Sequence, residues 1–275
     1  MVPPQSSEKA HHETECESLA EPKLTKMVEI SWLYLIIIVL LAAVAGIVIA
    51  GGGYLVFEEL LEEEDDGTAI SWTEDFNIEN LHFSSIGRND YFILEPGYQL
   101  TFTGEEDGES AELVITVLNE TVQVGNVEAR VVVENESVNG ELVEISRNFF
   151  VICNETNSIF YFGEDVDIYE DDVIVGHEGV WRADAAGNQA GIAMPGTVLL
   201  GSKYYQEIAP GLAMDRAEII EMGFTYDTPA GTFQNCVKMK ETTPVEPDAL
   251  EYKIYALGIG LIQDDLLLLT SYGFV

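Results

Sequence analysis

The run NVEARVVVENESV (Asn126–Val138) leads into Asn139-Gly140 and then into LVEISRNFFVIC (Leu142–Cys153). In the first run Val127, Ala129, Val131 and Val133 recur with period two, which puts them on one face of a β-strand. The second run is rich in β-branched and aromatic residues. An Asn-Gly pair between two such runs specifies a two-residue hairpin, because both central residues of a type I′ turn need positive φ. The stretch therefore predicts two long antiparallel strands.

Working outward, the same signals recur. Glu112–Asn119, Ser158–Phe162, Lys203–Ile208, Ala217–Tyr226, Gly231–Glu241, Glu251–Ala256 and Leu261–Ser271 all read as strands. Turn chemistry separates them: Pro195-Gly196, Pro210-Gly211, Pro229 to Gly231, Pro244 to Asp248 and Gly258 to Gly260. Leu212–Met222 reads either as a short helix or as a loop plus strand. No repeat of 20–50 residues is visible. The predicted class is all-β: an antiparallel half-barrel, barrel or sandwich, preceded by one transmembrane α-helix.

The helix is expected at Trp32–Ala50 (WLYLIIIVLLAAVAGIVIA), within a stretch without charge from Glu29 to Glu58. About 20 apolar residues cross a hydrocarbon core. Lys23 and Lys26 precede the run, only acids follow it in Glu58–Asp66, and the next basic residue is Arg88. By the positive-inside rule the N-terminus is cytoplasmic and the remainder is translocated. The run is too long for an ordinary cleaved signal, so an uncleaved anchor is expected. The expected organisation is a disordered cytoplasmic tail (1–29), the transmembrane helix (30–57), an acidic linker (58–88) and a β-rich extracytoplasmic domain (89–275). The expected location is the cell membrane, in a single pass, with the bilayer as partner through residues 32–50.

The 275 residues carry 12 basic and 49 acidic side chains, a net charge of -37. Nine basic and 43 acidic residues follow the anchor, so the outer domain holds -34 of that charge. Such a surface repels phosphate backbones, which excludes nucleic acid as a partner. High acidity otherwise speaks to solubility, or to cation binding by carboxylates.

The densest acidic stretch is GEDVDIYEDD (Gly163–Asp172). Asp165, Asp167, Asp171 and Asp172 offer hard oxygen ligands of the kind Ca²⁺ takes, though the spacing lacks the glycine and terminal Glu of an EF-hand. A charged turn between strands is the plainer reading. No other cofactor is expected. Cys153 and Cys236 both fall on the outer side, where a disulfide between them can form; two buried free thiols are the rival reading. Asn119, Asn135 and Asn154 begin Asn-Glu-Ser/Thr sequons, open to glycosylation on a translocated domain. His177 with Glu178 or Asp165 is the nearest thing to a hydrolytic set. No Ser-His-Asp set, phosphate loop or His/Cys metal spacing appears, and no catalytic residue is assigned.

Several motifs together resemble an uncharacterised family of exported bacterial and archaeal proteins: NDYFILEPG (Asn89–Gly97), YFGEDVDIY (Tyr161–Tyr169), HEGVW (His177–Trp181), GIAMPG (Gly191–Gly196), PAGTFQNC (Pro229–Cys236) and YKIYALGIGLI (Tyr252–Ile262). The resemblance spans about residues 89–272. It implies cysteines at both positions as a family feature, which favours the bridge, and it carries no function. Leu257-Gly258-Ile259-Gly260 departs mildly from its Pro-Gly-Val-Gly-like turn. A looser likeness to lipoprotein-carrier half-barrels concerns the fold alone.

The function expected is a non-catalytic binding or interaction module for an apolar ligand or a protein. Phe149, Phe150, Tyr161, Phe162 and Tyr205 are the aromatics that would line an apolar cavity if there is one. A structural envelope protein, Ca²⁺-bridged and glycosylated, is the first alternative. A hydrolase using His177 is the second.

Overall fold

The Asn126–Cys153 hairpin forms as its sequence dictates. In the computed structural model, which describes residues 71–106 and 108–275, β6 (Val127–Val138) and β7 (Glu141–Cys153) pair antiparallel across Asn139 (φ 53°) and Gly140 (φ 81°). Before them come β1 (Phe83–Ser84), β2 (Gly87–Asn89), β3 (Phe92–Leu94), β4 (Tyr98–Glu106) and β5 (Glu109–Val124). After them come β8 (Ile159–Glu170), β9 (Val173–Gly176), β10 (Trp181–Arg182), β11 (Gln189–Met194), β12 (Lys203–Tyr205) and β13 (Glu207–Ile208). The last five are β14 (Arg216–Thr228), β15 (Gly231–Thr242), β16 (Glu251–Ala256), β17 (Gly260–Asp264) and β18 (Leu267–Phe274).

The main sheet runs β12-β14-β15-β16-β17-β18-β4-β5-β6-β7-β8-β11-β13, antiparallel throughout, and curls into a nearly closed barrel. Closure comes from the chain itself. The two terminal strands of the sheet, β12 and β13, are separated by Gln206 alone, so one extended segment pairs with β14 on one side and β11 on the other. Gly191 lies where β11 meets this segment. A Cβ there would run into the backbone of Tyr205 and Gln206. Gly191→Ala is expected to cost about 2–3 kcal/mol by overpacking at backbone that cannot yield. Thermal unfolding of the variant checks this; an unchanged midpoint would show that the seam is slack.

Two buried clusters flank the sheet. The larger fills the barrel. The smaller lies outside β6–β8 and holds Val131, Phe149, Val151, Phe160 and Phe162. Strand alternation assigns the residues: Phe150 and Ile152 go in, while Phe149, Val151 and Cys153 go out. That is why β7 ends in an unbroken apolar run. The outer cluster is covered by β1 and the segment before it. Phe83 packs edge-on against Phe160 and Phe162, each at 5.4 Å, and Phe76 meets Phe160 at 5.9 Å.

This covering segment belongs to residues read as the end of an acidic linker. From Trp72 onward it is instead part of the packed domain. Thr73 accepts from Tyr205 N (2.9 Å) and donates to Lys203 O (3.0 Å), beside the barrel seam. Trp72 lies under the guanidinium of Arg216 at 4.6 Å. The expected anchor, Trp32–Ala50, lies outside the described residues. Among the described residues no helix is long and apolar enough to cross a membrane.

Other expectations change or resolve. The acidic stretch Gly163–Asp172 is strand, not turn, as far as Glu170. Only Asp171 (φ 50°) and Asp172 (φ 62°) make the turn into β9. Leu261–Ser271 divides into β17 and β18. Leu212–Met222 resolves as loop plus strand. No disulfide joins Cys153 and Cys236: both are buried free thiols. Cys153 belongs to the outer cluster and Cys236 to the barrel cluster, so the sheet assigns them to different packing environments.

Candidate functional site

Inside the barrel is a cavity of about 290 Å³. Its walls change character along the strands. On β7 the inward residues run Phe150, Asn148, Ser146, Glu144. On β6 they run Val132, Glu134, and on β8 Tyr161, Glu164. Across the barrel Tyr255 gives way to Lys253 on β16, and Leu261 to Asp264 on β17. Apolar side chains therefore gather at one level and acids at another. The β2–β3 hairpin adds Phe92 and Ile93 to the apolar level. It is held in place by buried Asn89, whose Nδ2 donates to Asn157 O (2.8 Å) and Pro195 O (3.1 Å).

Seven carboxylates line the cavity: Glu134, Glu144, Glu164, Glu207, Asp215, Glu241 and Asp264. One ammonium, Lys253, stands among them, 3.3 Å from Glu241 Oε2 and 3.5 Å from Asp264 Oδ1. Neutral donors serve some of the rest. Ser146 Oγ donates to Glu144 Oε1 (2.6 Å), Asp215 N to Glu207 Oε1 (2.6 Å) and Gln206 Nε2 to Glu241 Oε1 (3.1 Å). Tyr161 donates to Asn148 Oδ1 at 2.5 Å.

Burial without enough counter-charge disfavours the ionised form. It pushes Glu134 up to about 7 and Glu164 up to about 8, with neighbouring carboxylates adding to the effect on each. Burial likewise raises Glu207, well above the usual range, and Glu144, Asp215 and Glu241. Glu251, beside the cavity, reaches about 7 for the same reason. Burial works against the Lys253 ammonium, but Asp264 and Glu241 outweigh it and hold its proton firmly. A second cavity of about 250 Å³ shares Glu164, Asp215 and Glu241 and is walled by the loop after β15.

The sites expected from sequence lie elsewhere. Asp165 receives both bonds from Arg182 Nη2 (2.8 Å each), and Asp167 pairs with Arg147 (2.8 Å) and His177 (3.0 Å). Asp171 and Asp172 sit at the exposed hairpin tip. The four do not converge, and among the described residues no three His, Cys, Asp or Glu side chains could hold a metal ion together. His177 is mostly exposed, with Nδ1 against Val166 O (2.9 Å), and is not among the residues lining the cavity. Asn119 and Asn154 are exposed, and Asn135 is half-buried within β6.

The five aromatics divide. Phe150 and Tyr161 line the cavity, stacked at 4.8 Å. Phe149 and Phe162 are core of the outer cluster, and Tyr205 is half-buried at the seam. The acids of the cavity were missed. Their only local mark is an acid at an inward position of an alternating strand, as in Val132-Val133-Glu134. With 49 acids in the chain, that mark does not stand out. No protein-family model, curated protein or solved structure matches this chain.

Proposed function

We propose that this chain is a non-catalytic binding module that holds a small amphipathic ligand inside its barrel, tethered to the bilayer through residues 32–50 with the barrel outside the cytoplasm. The observation that carries the reading is the graded cavity. Ligand sites are concave and mostly apolar, with a few polar groups that orient the occupant. Here Val132, Leu100 and Phe150 supply an apolar level directly beside a polar one. A core built for stability alone would not place acids at that level, because burying them costs several kcal/mol each unless they are paired.

Native mass spectrometry of the full chain, extracted in mild detergent, is expected to show a bound adduct that denaturation releases. Val132→Trp, which fills the apolar level, should lose the adduct and keep a cooperative unfolding transition. Finding no adduct, together with no thermal shift from any short-chain amphiphile, would overturn the binding reading.

A further inference from the structure

If the cavity holds a ligand, its walls also say what kind. Seven carboxylates face one ammonium, and Lys253 reaches only Glu241 and Asp264 within ion-pair distance. Among the described residues Glu134, Glu144 and Glu164, on the neighbouring strands β6, β7 and β8, have no cation within ion-pair distance, and Lys253 acts on Glu134 only from further off. The acids are spread over the walls, which suits a cation with several N–H donors better than a single metal ion.

A second observation is independent of the acids. Trp181 is 2% exposed and lines the cavity, and among the described residues its indole Nε1–H makes no well-formed hydrogen bond; it reaches only weakly toward the hydroxyl of Tyr161, whose ring lies edge-on at 5.1 Å. Buried indole N–H groups normally make such a bond. Gln206 shows the complementary lack. Its Nε2 is tied to Glu241, while its buried Oε1, also at the cavity wall, accepts nothing among the described residues.

We infer that the ligand is an organic cation: a primary amine on a short apolar body, with a hydroxyl or carbonyl oxygen near the nitrogen. The ammonium sits among Glu134, Glu144 and Glu164. The oxygen accepts from Trp181, and an N–H or O–H of the ligand donates to Gln206. The apolar body lies along Val132 and Phe150. An anionic head would be repelled by the acids as they ionise, a neutral head would give them no counter-charge, and an ammonium favours the ionised form that burial otherwise disfavours.

The test uses four probes that share one six-carbon body: hexylamine, hexanol, hexanoate and 2-amino-1-hexanol. Each is titrated by calorimetry into the full chain in nanodiscs, with empty nanodiscs as the blank. Hexylamine should bind roughly ten-fold or more tighter than hexanol, the scale expected for a buried charge pair, and hexanoate should not bind. 2-Amino-1-hexanol should exceed hexylamine by a few-fold, and Trp181→Phe should abolish that preference. The double variant Glu134→Gln/Glu164→Gln should weaken hexylamine roughly ten-fold and leave hexanol unchanged, which also shows that the cavity is intact. Equal binding of hexanol and hexylamine, or no effect of the Gln substitutions, overturns selection by charge while the binding reading stands. Equal binding of the two amines overturns the oxygen contact. If no probe binds, the binding reading falls as well.

Discussion

Lys253→Met is expected to lower stability at pH 7.5 by about 3–5 kcal/mol, the usual cost of removing one partner from a buried ion pair. For a domain of this size that corresponds to a drop in Tm of roughly 10–15 °C. Among the described residues Lys253 is the only cation lining the cavity, and methionine keeps its length without its charge. Once it is gone, Glu241 and Asp264 lose the ammonium at 3.3 and 3.5 Å and face five further carboxylates. The sequel separates charge from packing. At pH 5 Glu241, which burial already pushes up, can take up a proton, so much of the loss should be recovered. Urea unfolding of both proteins at both pH values measures it. A deficit equal at pH 5 and pH 7.5 would assign the effect to packing and remove Lys253 from its electrostatic role.

The unmodified chain should itself become less stable as pH rises from about 5 to 9, the reverse of ordinary acid denaturation. Glu134 and Glu251 hold protons up to about 7 and Glu164 up to about 8, against 4.5 as their ordinary value. Between those limits the folded state binds more protons than the unfolded state, so stability falls with pH. The contribution is fully present below about pH 4.5 and is lost as pH passes through 7 to 8. Each ten-fold change in an acidity constant is worth about 1.4 kcal/mol, so the loss should reach a few kcal/mol, or roughly 10 °C in Tm. Glu155 has the opposite sign. Bonds from the His82 backbone and side chain hold it at about 2, so it acts only below pH 4.5 and leaves this window alone. Glu134→Gln/Glu164→Gln should flatten the profile by raising stability at pH 8.5 and changing little at pH 5. A wild-type profile that rises over the same range would mean that these acids are ionised and solvated.

Much of the fold was legible because its signals are short-range. Period two from Val127 to Val133 needs only neighbouring residues, and so does the positive φ demanded at Asn139-Gly140. Glu251–Ala256 is a strand with the bounds its residues suggest. Where a reading failed, a distant partner had intervened. Gly163–Asp172 looked like a solvated turn because of its acids. Arg182 and Arg147 take up Asp165 and Asp167 on one face, the other face turns inward, and the stretch becomes strand. Lys203–Ile208 looked like one strand. Its two halves pair with β14 and β11, which lie at opposite ends of the sheet path, and the segment thereby closes the barrel.

The sequence by itself determined the all-β class, the long hairpin and the acidity of the domain. Which acids turn inward, that they meet one lysine beside an apolar level, and that Cys153 and Cys236 occupy separate clusters were decided only by the tertiary structure. The reason is physical. Alternation along a strand distinguishes two faces but does not say which is inside. That choice depends on what the other strands and the covering segment from Trp72 place against each face.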